Sequence, residues 1–144
     1  MFKPEVTVAT IVKKNDKYLM VEEKINEKIK LNQPAGHLEQ NETIQNAAIR
    51  ETYEETGYLV ELNSLIGIYT WKMTKSYFIR FTFFAEIINF DDKAKLDKGI
   101  IRTHWLSSEE IYSAAEKLRS PIILKSIADF ESGIHYSDEI IKTC

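Results

Sequence analysis

Three glutamates, Glu51, Glu54 and Glu55, stand at i, i+3 and i+4 in the segment Arg50-Glu51-Thr52-Tyr53-Glu54-Glu55-Thr56-Gly57. At roughly 100° per residue in a helix they fall within an arc of about 100° and crowd one face. Like charges at that spacing disfavour an exposed helix by about 0.2–0.5 kcal/mol per pair, and more in low dielectric. Within the helix only Arg50 offers relief, and it is expected to point to one side. A divalent cation would relieve all three, because hard ions such as Mg2+ take carboxylate oxygens and bridge readily to phosphate oxygens. Upstream lies Gly36-His37-Leu38-Glu39-Gln40-Asn41-Glu42, a glycine-containing loop suited to close approach. An acidic helix face beside such a loop suits phosphate chemistry. The structural alternative is a solvated acidic helix end, which the helix macrodipole disfavours.

The helix that must carry these acids is expected to run about four turns, with Asn41 as its N-cap and Gly57 as its stop. Val6 to Lys14 is rich in β-branched residues and reads as a strand; Asn15-Asp16 marks a turn, and Lys17 to Glu23 is its hairpin partner. Lys24 to Lys30 is charged without a clear period and reads as a loop or an extended edge. Tyr58 to Tyr69 should hold a strand, interrupted or turned at Asn63-Ser64, and Trp71 to Lys75 reads as a loop with an exposed aromatic. Ser76 to Ile88 is the clearest strand. Tyr77, Ile79, Phe81, Phe83, Ala85 and Ile87 fall on its core face, and Phe78, Arg80, Thr82, Phe84 and Glu86 on a mixed face expected to line a polar cleft. Gly99 to Leu106 is a further strand, Ser107-Ser108-Glu109-Glu110 starts a helix, and Ser120-Pro121 opens the last helix, which Gly133 ends. The tail from Ile134 shows no pattern. Strands interleaved with two or three helices, with mixed strand directions, imply an α+β or α/β fold.

With 144 residues the chain is expected to form one domain, residues 1–144. Hydrophobic and charged contents of 44% and 28% are ordinary for a soluble globular protein. A net charge of −3 and a pI near 5.7 argue against a nucleic-acid or anionic-membrane surface. Cys144 is the single cysteine, so neither an internal disulfide nor a thiolate zinc site is expected. Met1 to Glu5 lacks the apolar run of a signal peptide, and no segment approaches the length of a membrane span. A cytoplasmic protein is the expectation.

The pattern G-x5-E-x7-R-E-x-x-E-E-x-G, filled here by Gly36, Glu42, Arg50, Glu51, Glu54, Glu55 and Gly57, resembles the signature of the Nudix hydrolases. Thr52 and Tyr58 stand where that family usually has aliphatic packing residues, and Ala35 stands where many members have a second glycine. Asn32-Gln33-Pro34-Ala35-Gly36, Arg80-Phe81 and Leu118-Arg119-Ser120-Pro121 resemble the NudJ-type phosphatase group within the family. The resemblance implies an α/β/α sandwich with a mixed β-sheet. It also implies that Glu51, Glu54 and Glu55 ligate one to three divalent ions, Mg2+ or alternatively Mn2+, with the Gly36 carbonyl as a further ligand. Glu54 or Glu55 would be the base for the attacking water. Arg50 would orient a glutamate through paired hydrogen bonds, and Glu42 would lock the loop to the helix.

Other residues are candidates from their placement. Glu39 is a supporting acid or a solvated loop residue. Glu86 is the candidate for an additional acid from outside the helix, in competition with Asp91, Asp92 and Asp97. Arg80 could meet a phosphate or pair with the acids; Trp71, Tyr69 and Phe78 could stack on a ring or belong to core and rim. His37, in the loop, would face solvent or substrate. His104 and His135 read as structural or exposed.

The function expected is Mg2+-dependent hydrolysis of a phosphoanhydride in small organic di- and triphosphates by water attack at phosphorus. Nucleoside tri- and diphosphates lead, with thiamine-pathway pyrophosphates as further substrates. ADP-ribose and other nucleotide sugars, dinucleoside polyphosphates, and more distantly the 5′ end of RNA, are alternatives within the family. A non-catalytic nucleotide-sensing domain is the alternative from another class, although such domains typically lose the glutamates retained here. The partner is a small molecule, neither nucleic acid nor membrane, and the chain is expected to be a monomer or homodimer.

Overall fold

The computed structural model describes residues 1–144. Strands β1 (Glu5–Lys14) and β2 (Lys17–Ile25) join through Asn15 and Asp16, whose φ angles of 51° and 61° are those of a type I′ hairpin turn. The same device recurs at Asn26-Glu27, with φ of 48° and 68°, and leads into β3 (Lys28–Asn32). The charged stretch Lys24 to Lys30 is therefore a second hairpin and not a loop. Its lysines are tolerated because β3 ends the strand order, where charge protects an edge.

Strand β4 (Ala35–His37) pairs antiparallel with β1, setting Gly36 opposite Val8. Helix α1 (Ile44–Thr56) follows, then β5 (Tyr58–Lys72), β6 (Tyr77–Phe90), β7 (Ile100–Leu106), α2 (Ser108–Ser113) and α3 (Ile122–Glu131). The seven strands form a mixed sheet in the order β3-β2-β1-β6-β5, with β4 added to β1 and β7 to β2; β1 and β6 are parallel and the other pairs antiparallel. The architecture is the expected α/β/α sandwich. Central strand β1 is apolar on both faces, as a strand covered from both sides must be. Val8 packs with Ala47 and Ala48 of α1 and with Leu65 and Phe83, whereas Ile11 packs with Met20, Ile66, Ile111 of α2 and Ile123 and Ile127 of α3.

Several local expectations need correction. Thr43, not Asn41, caps α1: its Oγ1 accepts from the Asn46 N–H at 3.0 Å, while Asn41 turns the preceding loop with φ of 65°. Gly57 does stop the helix, at φ 80°. Ala35 adopts no positive φ, so the loop has no need of a second glycine there. Asn63-Ser64 makes a register shift inside a continuous β5, and Trp71 belongs to that strand, stacked on Phe78 of β6 at 4.5 Å between centroids. The mixed face of β6 is not an open cleft along its length. Phe84 packs against Phe130 of α3, and Arg80 and Thr82 are buried. Ser120 accepts from the Ile122 N–H at the start of α3, and Gly133 follows its end with φ of 86°. In the tail, Tyr136 exchanges two backbone hydrogen bonds with Leu65, and Gln45 of α1 donates to the carbonyls of Asp138 and Ile141. No helix is long and apolar enough to cross a membrane.

The two unusual packing residues are accommodated. Tyr58 lies against Phe90 and Trp105. Thr52 is fully buried; its hydroxyl donates to the Ala48 carbonyl at 2.8 Å and meets the Thr10 hydroxyl of β1 at 2.7 Å. Because Thr52 uses its proton on Ala48, Thr10 is the donor between them. Thr52→Val is expected to strand the Thr10 hydroxyl and cost about 1–3 kcal/mol, and adding Thr10→Val should recover most of that loss. Urea unfolding of the two single variants and the double variant measures this; simply additive losses would contradict the pairing.

Candidate active site

Helix α1 turns its apolar residues onto β1 and leaves its acids facing the Gly36 loop and the segment between β6 and β7. Asp97 in that segment is pinned by its own N–H to the Glu54 carbonyl at 2.9 Å. One carboxylate oxygen from each of Glu51, Glu55 and Asp97 lies within 4.8 Å of the other two. Burial and the nearby Glu54 charge raise the Asp97 carboxyl, and burial raises Glu51. Glu55 is pushed up to about 9, chiefly by burial, with the charges of Glu23, Glu51 and Asp97 adding to it. The backbone N–H of Ala35, which donates to Glu55 Oε1 at 2.9 Å, works in the opposite direction.

Gly36 is fixed by steric contact. A Cβ at that position would overlap the Glu51 carboxylate, so only glycine lets the β4 backbone come this close. Arg50 does more than orient one glutamate. Nε and Nη2 grip both Glu42 oxygens at 2.6 and 3.1 Å, Nη1 reaches Glu51 at 2.6 Å and Glu54 at 2.7 Å, and Nη2 also donates to the His37 carbonyl at 3.0 Å. Its guanidinium thus holds loop and helix together with all five of its N–H groups. Arg50 and the Glu39 N–H keep the Glu42 carboxyl below its ordinary range. Glu39 itself is exposed, with Oε1 3.6 Å from Arg50 Nε.

The candidate residues therefore divide. Glu51 lies against Gly36 and Glu55 on the Ala35 N–H, and both join the cluster; Glu54 shares Arg50 with Glu51 and stands beside the cluster. The acid that joins from outside the helix is Asp97. Glu86 sits opposite Glu61 on the strand pair and is exposed, outside the cluster. Asp91 accepts from the Tyr53 hydroxyl. The His37 ring is directed to Glu5 at 2.9 Å. Tyr69 donates to Asp129 on the α3 side, and His104 pairs with Glu22 at 2.6 Å, away from the cluster.

A cavity of about 680 Å3 opens beside the acids, lined by Gly36, Glu51 and Glu55 together with Arg80, Trp71, Phe78 and Arg119. His37 and Glu39 lie on its rim. A separate cavity of about 750 Å3 between β7 and α2 contains the Glu22–His104 pair but none of the clustered acids. Arg119 is the cavity residue whose placement sequence reasoning missed, and only its position just before Ser120-Pro121 hinted at it.

The sequence model of the NUDIX domain matches residues 1–129. The chain belongs to the Nudix hydrolase family. It is 44% identical over 142 residues to the phosphatase NudJ of Escherichia coli K12, a match covering 98% of this chain and 92% of that one. A NUDIX hydrolase from Nitrosomonas europaea superposes with a TM-score of 0.96 at 42% identity, covering 99% of this chain and 98% of the other. The MutT protein of Methanosarcina mazei Go1, at 21% identity, 92% and 96% coverage and a TM-score of 0.75, shares the fold. Nudix enzymes generally use divalent metal ions, and the residues of this Nudix hydrolase fit one. Three mutually repelling carboxylates, all raised by burial, meet within reach of one ion, and the absence of a side chain at Gly36 leaves room for the Glu51 carboxylate.

The raised Glu55 carboxyl gives a stability test with a defined sign. Folding holds the Glu55 proton from its ordinary value of 4.5 up to about 9. The contribution of Glu55 to the stability of the metal-free Nudix hydrolase is therefore fully present below the lower value and is lost as pH rises through the window. Melting temperature in a chelator should fall between about pH 6 and pH 8.5, and Glu55→Gln should flatten that fall while keeping the Ala35 hydrogen bond. An identical slope in the variant would place the titration elsewhere.

Proposed function

We propose that this Nudix hydrolase carries out Mg2+-dependent hydrolysis of phosphoanhydride bonds in small organic di- and triphosphates, releasing orthophosphate from nucleoside tri- and diphosphates. Pyrophosphates of the thiamine pathway belong to the same substrate class. The observation that carries the reading is the convergence of Glu51, Glu55 and Asp97 on one another, with Glu51 against Gly36, in a chain so similar to a phosphatase. Glu51, Glu55 and Asp97 would hold the ion, with the Gly36 backbone beside them and Glu54 within reach of Arg50's network. A divalent ion bound there supplies positive charge to phosphate oxygens and lowers the barrier to attack at phosphorus.

The chain's own residues do the rest. Water forms the new bond to phosphorus, the bridging P–O bond breaks, and the leaving phosphate departs with the electron pair. Glu54 or Glu55 takes the proton from water. Arg50 fixes Glu51 and Glu54 so that neither swings away as charge shifts. Trp71 and Phe78, stacked at the cavity's edge, offer an apolar surface to the organic part of the substrate, and His37 borders its entrance.

Incubation with Mg2+ and a panel of nucleoside di- and triphosphates, thiamine pyrophosphate and ADP-ribose tests the reading. Orthophosphate carrying heavy oxygen from labelled water is the expected product. Glu55→Gln and Glu54→Gln are expected to lower kcat about tenfold or more with the melting curve still cooperative. Wild-type turnover in both variants would remove the base assignment. Pyrophosphate with a monophosphate, or cleavage of ADP-ribose alone, would move the substrate to the alternatives within the family.

A further inference from the structure

Arg80 is a buried cation without a matching anion. It is 5% exposed; Nε reaches Thr7 Oγ1 at a long 3.4 Å, and Nη1 is buried with no hydrogen-bond partner. The Trp71 ring, 5.2 Å from the guanidinium carbon, supplies a cation–π contact but accepts no hydrogen bond from Nη1. Buried charges are ordinarily paired and hydrogen-bonded, because an unpaired one loses its hydration without return.

A second arginine lines the same cavity. Arg119, on the turn before α3, is tethered by its N–H to the Leu31 carbonyl, and its Nη1 donates to Glu23 Oε1 at 3.0 Å. Glu23 is shared with Asn32 Nδ2 and does not pair with Arg80. Two positive groups therefore line one cavity; burial together with the Arg119 charge lowers Arg80 to about 10, against the opposing charges of Glu55 and Glu23. Glu51 and Glu55 line the same cavity, but neither forms an ion pair with Arg80. A cavity holding a buried guanidinium without an ion-pair partner beside carboxylates without a cation is matched by a phosphate carrying a divalent ion.

We propose that Arg80 and Arg119 form the subsite for the terminal, unesterified phosphate of the substrate, and so select di- and triphosphates with a free end over those esterified at both ends. The inference rests on the phosphoanhydride reading above and adds the direction in which the substrate lies. A phosphate monoester carries a charge of about −1.5 to −2 at pH 7, with its second pKa near 6. A doubly esterified phosphate carries one negative charge and has one fewer free oxygen. Guanidinium groups reward both the extra charge and the extra acceptor, since their planar N–H pairs match phosphate oxygens. Arg80 binds at the closed, buried end and Arg119 at the open end, so an organic group on the terminal phosphate would displace one of them.

Two measurements test this. In the first, inorganic pyrophosphate is titrated by calorimetry into metal-free protein in the presence of a chelator. Wild type is expected to bind, and Arg119→Gln and Arg80→Lys to bind about tenfold more weakly or worse. Absence of wild-type binding, or equal binding by all three proteins, overturns the subsite. Arg119 is half-exposed, so its variant keeps the test valid even if Arg80 substitutions unfold the chain.

In the second, a nucleoside diphosphate is compared with a nucleoside diphosphate sugar in the Mg2+-loaded enzyme, the sugar nucleotide being read as substrate or as competitive inhibitor. Arg119→Gln should raise KM for the free-ended compound about tenfold, leave kcat within about twofold, and change the capped compound little. Equal losses on both compounds overturn the selectivity. If wild type hydrolyses neither, the proposed function fails, while the pyrophosphate titration still decides the subsite.

Discussion

Three glutamates and a loop carbonyl crowd one side of α1, two of the glutamates in its last turns where the helix macrodipole already disfavours negative charge, and a single guanidinium orders that crowd. Arg50 has five N–H groups in a rigid fork, and each meets an oxygen of Glu42, Glu51, Glu54 or His37. No lysine could substitute, because a point charge on a flexible stem cannot fix three carboxylates and a carbonyl at once. The link matters because it crosses from helix to loop. Glu42 and His37 belong to the segment that carries Gly36, so Arg50 sets the distance between the glycine backbone and the helix face. With that distance fixed, a Cβ at position 36 would overlap Glu51.

Arg50 relieves some of the acids and leaves others. Glu42, Glu51 and Glu54 find their partner in it, and Glu42 is correspondingly held in its charged form. Glu55 faces away from Arg50 and receives one backbone N–H from Ala35. Asp97 is brought in by the chain beyond β6 and has no cation of its own. The uncompensated charge is thus concentrated at one point between α1, β4 and the β6–β7 segment. This separation distinguishes a cation-accepting cluster from a merely acidic surface: the repulsion is localised, buried and next to a backbone that cannot be moved out of the way.

Much of this was legible in the sequence because it depends on local geometry. The i, i+3, i+4 spacing places Glu51, Glu54 and Glu55 on one helix face whatever the rest of the chain does, and Gly57 ends the helix by its own conformational freedom. The β1–β2 hairpin follows from Asn15-Asp16 for the same reason. The β2–β3 hairpin was obscured because its turn residues, Asn26 and Glu27, sit inside a charged run that hid the alternation of Lys28, Ile29 and Lys30. Asp97 could be no more than one of four competing acids, because its position depends on how the β6–β7 segment docks on the Glu54 carbonyl. The same applies to Trp71, which joins β5 through its stacking on Phe78, a contact between residues on facing strands directly across the hairpin. Asn41 was the expected cap; Thr43 takes that role because Asn41 turns the packed loop with a positive φ.

The meeting of Gly36 and Arg80 at one cavity comes from topology and could not have been read from either segment alone. Strand β1 has β4 on one side and β6 on the other, so Val8 faces Gly36 while its neighbour Thr7 faces Arg80. Pairing of β1 with both strands therefore brings Gly36, which lies against Glu51, and Arg80 to the lining of one cavity. Parallel pairing of β1 with β6 is what makes this arrangement possible: Arg80 enters the sheet near the start of both strands, at the same end where the antiparallel β4 delivers the glycine. Shifting β6 by one residue would turn Arg80 toward the core of Val8, Ala47 and Ala48, because side chains alternate between faces. The hydrophobic pattern of β6, with Phe81 and Phe83 packed against the α1 side, therefore does more than build the sandwich. By locking its register, it also commits a buried guanidinium to the cavity.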